Sequence, residues 1–266
     1  MALLGFIGVG NMGYPMLASA TKCFNIEDLL ISTKTEKTMK SVHEKLGVDY
    51  VLDKKELIKT CKYIVLTVKP QFYFEVLEEI KDELTLNHIL ITVAPGISIQ
   101  QVKEAVGKDV KVVRSMPNTP ALVGEGMTGI CYSNNDFSEA ELEVVDRFFQ
   151  SFGIYEVFEE RLMDAVVCAS GSSPAYVYMF MEALADSVVR CGIPRAQAYQ
   201  LVAQTVLGSA KMVLETKEHP GVLKDRVCSP GGTTIEGVAA LEEYGMRNAI
   251  LKATERCYEK ATSFKK

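Results

Sequence analysis

Leu3-Leu4-Gly5-Phe6-Ile7-Gly8-Val9-Gly10-Asn11-Met12-Gly13 is the stretch whose reading decides the fold. Leu3 to Ile7 carries no charge, as expected of a strand covered on both faces in a parallel sheet. A helix pattern through Met16, Leu17 and Ala20 follows the glycines. A bare GxGxxG is weak, but between a strand and a helix its glycines have physical roles. They allow a tight turn, close approach of the backbone to a pyrophosphate, and close packing of helix on strand. Gly8, Val9, Gly10, Asn11, Met12 and Gly13 are therefore expected to bind a dinucleotide.

Leu29-Leu30-Ile31 reads as the second strand, and the residues after it bear on which dinucleotide binds. An NAD-selective site places Asp or Glu there for the ribose 2′-hydroxyl. Ser32-Thr33-Lys34 offers two hydroxyls and a cation, which suit a 2′-phosphate. The expected cofactor is NADPH, and Glu36 leaves NADH open.

The alternation of strand and helix continues. Thr35 to Leu46 reads as a helix stopped by Gly47, Asp49 to Leu52 as a strand, and Asp53 as the cap of a helix. Strands at Tyr63–Val68 and Ile89–Val93 break at Lys69-Pro70 and Ala94-Pro95-Gly96, and Ser98-Ile99-Gln100-Gln101 opens a helix with a capping box. Val110 to Arg114 is a further strand, left through Met116-Pro117-Asn118-Thr119-Pro120. Breaks at Gly8, Lys69, Ala94 and Ser115 would share the carboxyl edge of one sheet, where open α/β sheets bind ligands. Asn118 reads equally as a contact to the cofactor or substrate and as an ordinary turn residue.

Gly126–Ser133 and Gly153–Phe158 are expected strands around a helix opened by Ser138. No strand pattern follows Glu160. The expectation is an α/β amino-terminal Rossmann domain over residues 1–158 and an all-α domain over 159–266, whose helices are separated at Ser170–Pro174, Gly192–Pro194, His219–Gly221, Ser229–Thr234 and Gly245. The helix from Pro174 to Arg190 is apolar nearly all round, and such a helix must be buried on several sides. About a hundred helical residues do not easily surround it, so a second copy of the chain is expected to dock there.

Composition narrows the function classes. The chain has 266 residues and a net charge of -5, with none of the basic excess of nucleic-acid binders. Its seven cysteines are spread without a CxxC pair, which points away from disulfides and zinc and towards a reducing compartment. The three histidines lack metal-ligand spacing, so no metal is expected. Met1 to Gly8 has no basic leader, and the longest apolar run, Ala175 to Met181, is far short of the ~20 residues that span a bilayer. A cytoplasmic protein with no membrane partner is expected.

Ser229-Pro230-Gly231-Gly232-Thr233-Thr234 stands before a helix pattern of Ile235, Val238, Ala239 and Leu241. Two readings stand level at this loop. Helix-terminal N–H groups beside glycines can seat a carboxylate or phosphate, with a threonine hydroxyl for a second polar atom. Thr233-Thr234-Ile235-Glu236 is equally an acceptable capping box with no ligand.

Taken with the Gly8 and Met116–Pro120 loops, these features resemble pyrroline-5-carboxylate reductases nearly end to end. The most specific matches are Ser170-Gly171-Ser172-Ser173-Pro174-Ala175-Tyr176, His219-Pro220-Gly221-Val222-Leu223-Lys224-Asp225 and Ser229 to Glu236, together with Val68-Lys69-Pro70. The resemblance implies reduction of 1-pyrroline-5-carboxylate to L-proline by NAD(P)H, and a helical domain that interlocks two chains, often within a larger ring such as a decamer. It implies substrate binding by Ser229, Gly231, Gly232, Thr233 and Thr234, with the catalytic hydroxyl of Thr234 near the imine nitrogen and Glu160 approaching from the domain junction. Cofactor contacts carry over to Gly8 through Gly13, Ser32, Thr33, Lys34, Val68, Lys69, Pro70, Ala94 and Pro95.

Two departures stand out. Ser173 replaces a residue that is often glycine or alanine, and Lys54 stands where relatives can carry an Asn at the adenosine end. A lysine there could serve a 2′-phosphate. The chemistry agrees with the resemblance, because a protonated imine is already electrophilic and needs mainly positioning and one hydroxyl donor. A β-hydroxyacid dehydrogenase would carry a lysine on the first long helix of its second domain, and Pro174 to Arg190 has none. A non-catalytic NADPH sensor is disfavoured by the intact glycine-threonine loop.

Overall fold

Apolar residues of the first strands alternate between two separate cores, and that alternation fixes the sheet. The computed structural model describes residues 3–263. Met1 and Ala2, on which the reading of the leader partly rests, lie outside the described residues, as do the last three. β1 (Leu4–Ile7) leads through α1 (Gly13–Ala20) to β2 (Leu29–Ser32), then α2 (Glu36–Leu46), β3 (Asp49–Tyr50) and α3 (Lys54–Thr60). β4 (Tyr63–Leu66), α4 (Tyr73–Ile80), β5 (Ile89–Thr92), α5 (Ile99–Val106) and β6 (Lys111–Met116) continue the alternation. β7 (Gly126–Tyr132), α6 (Glu139–Gln150) and β8 (Gly153–Val157) complete a sheet ordered β3-β2-β1-β4-β5-β6-β7-β8. Leu29, Ile31, Tyr63, Val65, Ile89 and Ile91 face one core. Leu30, Ile64, Leu66 and Leu90 face the other, the period of two expected of strands covered on both sides.

β1 has β2 on one side and β4 on the other, both parallel to it. The chain therefore reverses its direction of travel across the sheet at β1, and a crevice opens beyond the carboxyl ends of β1 and β4. The expected Rossmann arrangement holds from β1 through β6. β7 then runs antiparallel to β6, because the short 3₁₀ turn Thr119–Val123 joins them instead of a crossover helix. β8 pairs parallel with β7.

The expected caps form. Ser98 and Ser138 each close a capping box, with Gln101 and Glu141 respectively. Thr35 and Asp53 cap α2 and α3, and Gly47 ends α2 in the left-handed region at φ 73°. β3 is shorter than the Asp49–Leu52 expected, with Leu52 lying exposed outside it.

By contacts the chain divides into two units, one holding residues to Ser172 with those from Tyr258 on, the other Ser173–Cys257. Helical character begins at Glu160, but residues 160–172 pack with the sheet. α7 (Met163–Val166) contributes Met163 and Val166 to the second core, and Val166 sits where a Cβ on Gly129 would approach within 2.5 Å.

One expected break does not exist. Ser170 to Pro174 is not a loop: Val167–Gly171 forms a π-helical turn and α8 (Ser173–Arg190) follows at once. Proline has no N–H for the carbonyl four residues back, and its ring crowds that carbonyl. The wide turn accommodates this, with the Ser172 N–H donating to the Val167 carbonyl at 2.8 Å.

The remaining helices are α9 (Arg195–Thr216), α10 (Pro220–Val227), α11 (Thr233–Glu243) and α12 (Met246–Ser263). Within Ser173–Cys257 the buried apolar residues are Ala185, Ala198 and Val202, where α8 meets α9. Met179, Leu214, Tyr244 and Leu251 are more than 60% exposed in the single chain. No described helix is long and apolar enough to cross a membrane.

Glu141 is a staple of the first unit. Its carboxylate, 7% exposed, takes Lys111 Nζ at 2.6 Å and Lys62 Nζ at 2.9 Å while closing the Ser138 box. Burial opposes its ionisation, but the two lysines and the Ser138 N–H outweigh that and hold its pKa down at about 2. A depressed carboxylate contributes stability above its unfolded pKa, and that contribution fades as pH falls through the folded value. Glu141→Gln should cost about 1–3 kcal/mol at neutral pH, and the gap to the unaltered chain should narrow as pH falls from about 5 towards 2. Urea unfolding across that range checks it.

Candidate active site

The glycine loop after β1 is shaped by three different demands. The Gly8 N–H donates to Ser32 O at 2.9 Å, and Thr67 Oγ1 donates to the Gly8 carbonyl. Gly8 has φ 88°, and a Cβ there would meet Val68 Cγ1 at 2.9 Å. At Gly13 a Cβ would come within 2.4 Å of Thr67 Oγ1 and 2.8 Å of the Gly8 carbonyl. These two glycines are required by the fold. Gly10 is not: its φ is not positive, and nothing lies within 4 Å of its Cβ position. No side chain caps α1, whose amino terminus follows this loop directly.

Beside the loop lies a cleft of roughly 230 Å3, lined in part by Gly8, Ser32, Thr33, Lys34, Lys54 and Val68. Six residues predicted from separate stretches of sequence thus meet at one sheet edge. Ser32 Oγ lies buried at that edge with no hydrogen-bond partner, a polar atom available to a ligand. Lys34 Nζ stands 5.1 Å from the Phe72 ring centroid. Lys54 Nζ donates to both carboxylate oxygens of Glu79, at 3.0 and 2.8 Å. An open Gly10, an uncapped helix, an orphaned hydroxyl and the Lys34 cation fit a dinucleotide that carries a pyrophosphate and a 2′-phosphate. Phe72, Glu75 and Glu79 also line the cleft and were not foreseen. The four-residue spacing of the two glutamates put them on one face of α4, but that pattern also marks any solvated helix.

The other predicted contacts are not among the residues that line this cleft. Val9 packs into the first core, Asn11 is exposed, and Met12 is the N-cap of α1. Lys69 caps the 3₁₀ turn Pro70–Phe72 that follows β4. Ala94 is buried after β5, and Pro95 is exposed.

Asn118 has both ends of its amide engaged. Nδ2 donates to the Ser170 carbonyl at 3.1 Å, and Oδ1 accepts the Met127 N–H at 2.9 Å. The Ser170 carbonyl is the one that Pro174 cannot serve, so Asn118 supplies the missing donor and ties the loop after β6 to the π turn. Glu160 Oε1 accepts the Ile99 N–H at 2.7 Å, at the start of α5, and Arg114 Nη1 at 3.1 Å. Arg114 is 5% exposed, and its Nη2 lies 3.8 Å from Asp164 Oδ1. The sequence reading missed Arg114, which an arginine directly after the apolar pair Val112-Val113 of the strand could have flagged.

In the helical unit, the Ser229–Thr234 loop resolves the choice of cap. α11 begins at Thr233 with Gly232 as N-cap and no side-chain cap hydrogen bond, so the Thr233–Glu236 capping box does not form. The Gly232 N–H donates to Ser229 O at 3.0 Å, and a Cβ on Gly232 would meet Ser229 Oγ at 2.4 Å. Gly231 has φ 66° and open space around its Cβ position. Thr234 is half-buried in the first turn of α11. The result is a tight turn that leaves a helix N-terminus uncapped. His219 by contrast caps α10, its Nδ1 accepting the Gly221 N–H at 3.0 Å.

Residues 160–264 match the family model described as pyrroline-5-carboxylate reductase dimerisation, and residues 3–96 match NADP oxidoreductase, coenzyme F420-dependent. The pyrroline-5-carboxylate reductase of Escherichia coli is 43% identical over 99% of this chain and 98% of its own length. That of Methanosarcina acetivorans is 39% identical over 96% of this chain and 97% of its own. A crystal structure of the Plasmodium falciparum pyrroline carboxylate reductase with NADP bound matches at a TM-score of 0.88 and 34% identity, covering 100% of this chain and 98% of that one. With identity of this level running the length of both chains, the protein belongs to the pyrroline-5-carboxylate reductase family.

Proposed function

We propose that this chain reduces 1-pyrroline-5-carboxylate to L-proline at the expense of NADPH, with NADH also accepted. The observation that carries the reading is the start of α11, which no side chain caps and beside which Gly231 leaves open space, so that the backbone donors of its first turn suit a carboxylate. The bound dinucleotide supplies a hydride from C4 of its nicotinamide to the imine carbon. The chain anchors and orients: the Gly8–Gly13 loop and α1 hold the pyrophosphate, and Ser32, Thr33, Lys34 and Lys54 surround the adenosine end. Val68, Lys69, Pro70, Ala94 and Pro95 border the nicotinamide side. Asn118 acts on the site by fixing the loop after β6.

Ser229, Gly231, Gly232 and Thr233 take the substrate carboxylate, and Thr234 Oγ1 donates a hydrogen bond to the ring nitrogen. Glu160 holds the amino terminus of α5, the element that follows Ala94 and Pro95, and in this reading faces the substrate with its other oxygen. A cationic imine needs no stronger acid, which fits the lack of histidine among these residues.

We assign the chain to a homodimer formed through α8 to α12, and to the cytoplasm, which fits seven cysteines without CxxC spacing. Assembly of dimers into a larger ring is the further step that the family resemblance suggests. Three buried alanine and valine side chains cannot stabilise eighty-odd residues of helix, and the exposed apolar side chains of this unit need a partner. Gly208 and Gly237 lie inside α9 and α11, where glycine costs about 1 kcal/mol relative to alanine. Nothing in the single chain approaches their Cβ positions within 4 Å, and a partner helix would use that space.

Three outcomes test these statements. Oxidation of NADPH followed at its nicotinamide absorbance should require pyrroline-5-carboxylate, and Thr234→Ala should lower turnover roughly ten- to hundred-fold; unchanged kcat and KM would remove Thr234 from the chemistry. Gly10→Val should leave the melting temperature near that of the unaltered chain while weakening NADPH binding at least about ten-fold, whereas Gly13→Ala should lower the melting temperature. Light scattering after size exclusion should give a multiple of 29.3 kDa. A stable monomer at micromolar concentration would overturn the dimer.

A further inference from the structure

The wall of the nucleotide cleft holds a pair of charges that the reduction itself does not require. Lys54 opens α3, and Glu79 stands near the end of α4. Both Glu79 oxygens take the Lys54 ammonium, which is 22% exposed against 41% for the glutamate. Glu75 lies one helical turn before Glu79 and lines the same cleft, as does Lys34, which stacks on Phe72. Two lysines and two glutamates thus leave the cleft wall close to neutral. An exposed pair of this kind adds at most about 1 kcal/mol to stability, so stability alone does not account for it.

Its position gives it a consequence for recognition. A 2′-phosphate is distinguished from a 2′-hydroxyl by cations that are available to it. An ammonium already engaged by both oxygens of a carboxylate offers such a phosphate little net charge, and the carboxylate itself repels it. Resting on the nucleotide reading above, we infer that Glu79 is the specificity-determining residue of the cofactor site. By neutralising Lys54 it weakens selection for the 2′-phosphate and keeps NADH acceptable, leaving Lys34 and Thr33 to discriminate. Ser32 Oγ, buried without a partner, contributes the same hydrogen bond to either cofactor.

Calorimetric titration of the full-length protein with NADPH, NADH, adenosine 2′,5′-bisphosphate and AMP tests this without turnover. Glu79→Gln should tighten NADPH and the bisphosphate by about three- to five-fold, the scale of releasing one exposed ion pair. NADH and AMP should move less, and NADPH binding should become more sensitive to potassium chloride, because one more cation then meets the phosphate. Lys54→Gln, which leaves Glu79 unneutralised, should weaken NADPH more than NADH, and Lys54→Gln combined with Glu79→Gln should return the ratio of the two towards that of the unaltered chain. An unchanged ratio in Glu79→Gln overturns the inference. So does weaker NADPH binding in that variant, which would make Glu79 a residue that orients Lys54 towards the phosphate. If the unaltered chain binds neither dinucleotide, the cofactor reading fails and this inference with it.

Discussion

A guanidinium buried in the middle of the sheet constrains much of the first unit. Arg114 lies on β6 between Thr92 and Cys131 and is almost wholly buried, and a charge so placed costs several kcal/mol unless it is paired. Its partners come from Glu160 and Asp164, which forces the chain after β8 to fold back over the sheet. Once there, the Glu160 oxygen that takes Arg114 also accepts the first N–H of α5. The same segment brings the Ser170 carbonyl to Asn118. One buried charge therefore ties β6, the loop that follows β5 and the entry to the long helix α8. Cys131 beside this network is an inert packing group, its thiol pushed up to about 12 by burial and by the Glu160 carboxylate.

What could be read from the sequence was what neighbouring residues decide. Ser98 and Ser138 announce capping boxes within four residues, and Gly47 announces the end of α2. Apolar runs such as Tyr63 to Leu66 announce strands covered on both faces. The cofactor loop was legible because its glycines, strand and helix are contiguous. Arg114 and Glu160 are 46 residues apart, and no local pattern ties them together. Pro174 misled for a related reason: proline normally ends a helix, and only the distant Asn118 amide shows how the chain passes it without a loop. The two readings of the Ser229–Thr234 loop could not be separated by pattern, because Thr233 through Glu236 satisfies the capping template. Backbone geometry decides the cap alone: Gly232 is the N-cap, and the Thr233–Glu236 box does not form.

The helical unit shows the reverse limit. An all-round apolar helix at Pro174 to Arg190 was plain in the sequence, and so was the need for more cover than the remaining helices give. The single chain leaves that need unmet, with small side chains at the one buried contact between α8 and α9. Large apolar groups such as Met179, Tyr244 and Leu251 remain in solvent. Hydrophobic burial contributes about 25 cal/mol per Å2 removed from water, so surfaces of this kind drive association once two copies meet. Folding of this half and assembly of the protein are then parts of one equilibrium.

Glycines mark the site more clearly than any acid or base, and the reason lies in the reaction. A protonated imine and a hydride donor need to be held face to face, and backbone N–H groups do this without introducing a titrating group. Such donors are usable only where no side chain stands in front of them. Gly8, Gly13 and Gly232 are glycine because Val68, Thr67 and Ser229 already fill the space a Cβ would take. At Gly10 neither backbone conformation nor a neighbouring atom demands glycine, and at Gly231 the backbone does but the space beyond it is open. Space left open beside helix amino termini that no side chain caps, at α1 and again at α11, is space that the fold does not use. A dinucleotide pyrophosphate and a substrate carboxylate are both anions, and in the proposed reading each meets one of these two termini with the same chemistry.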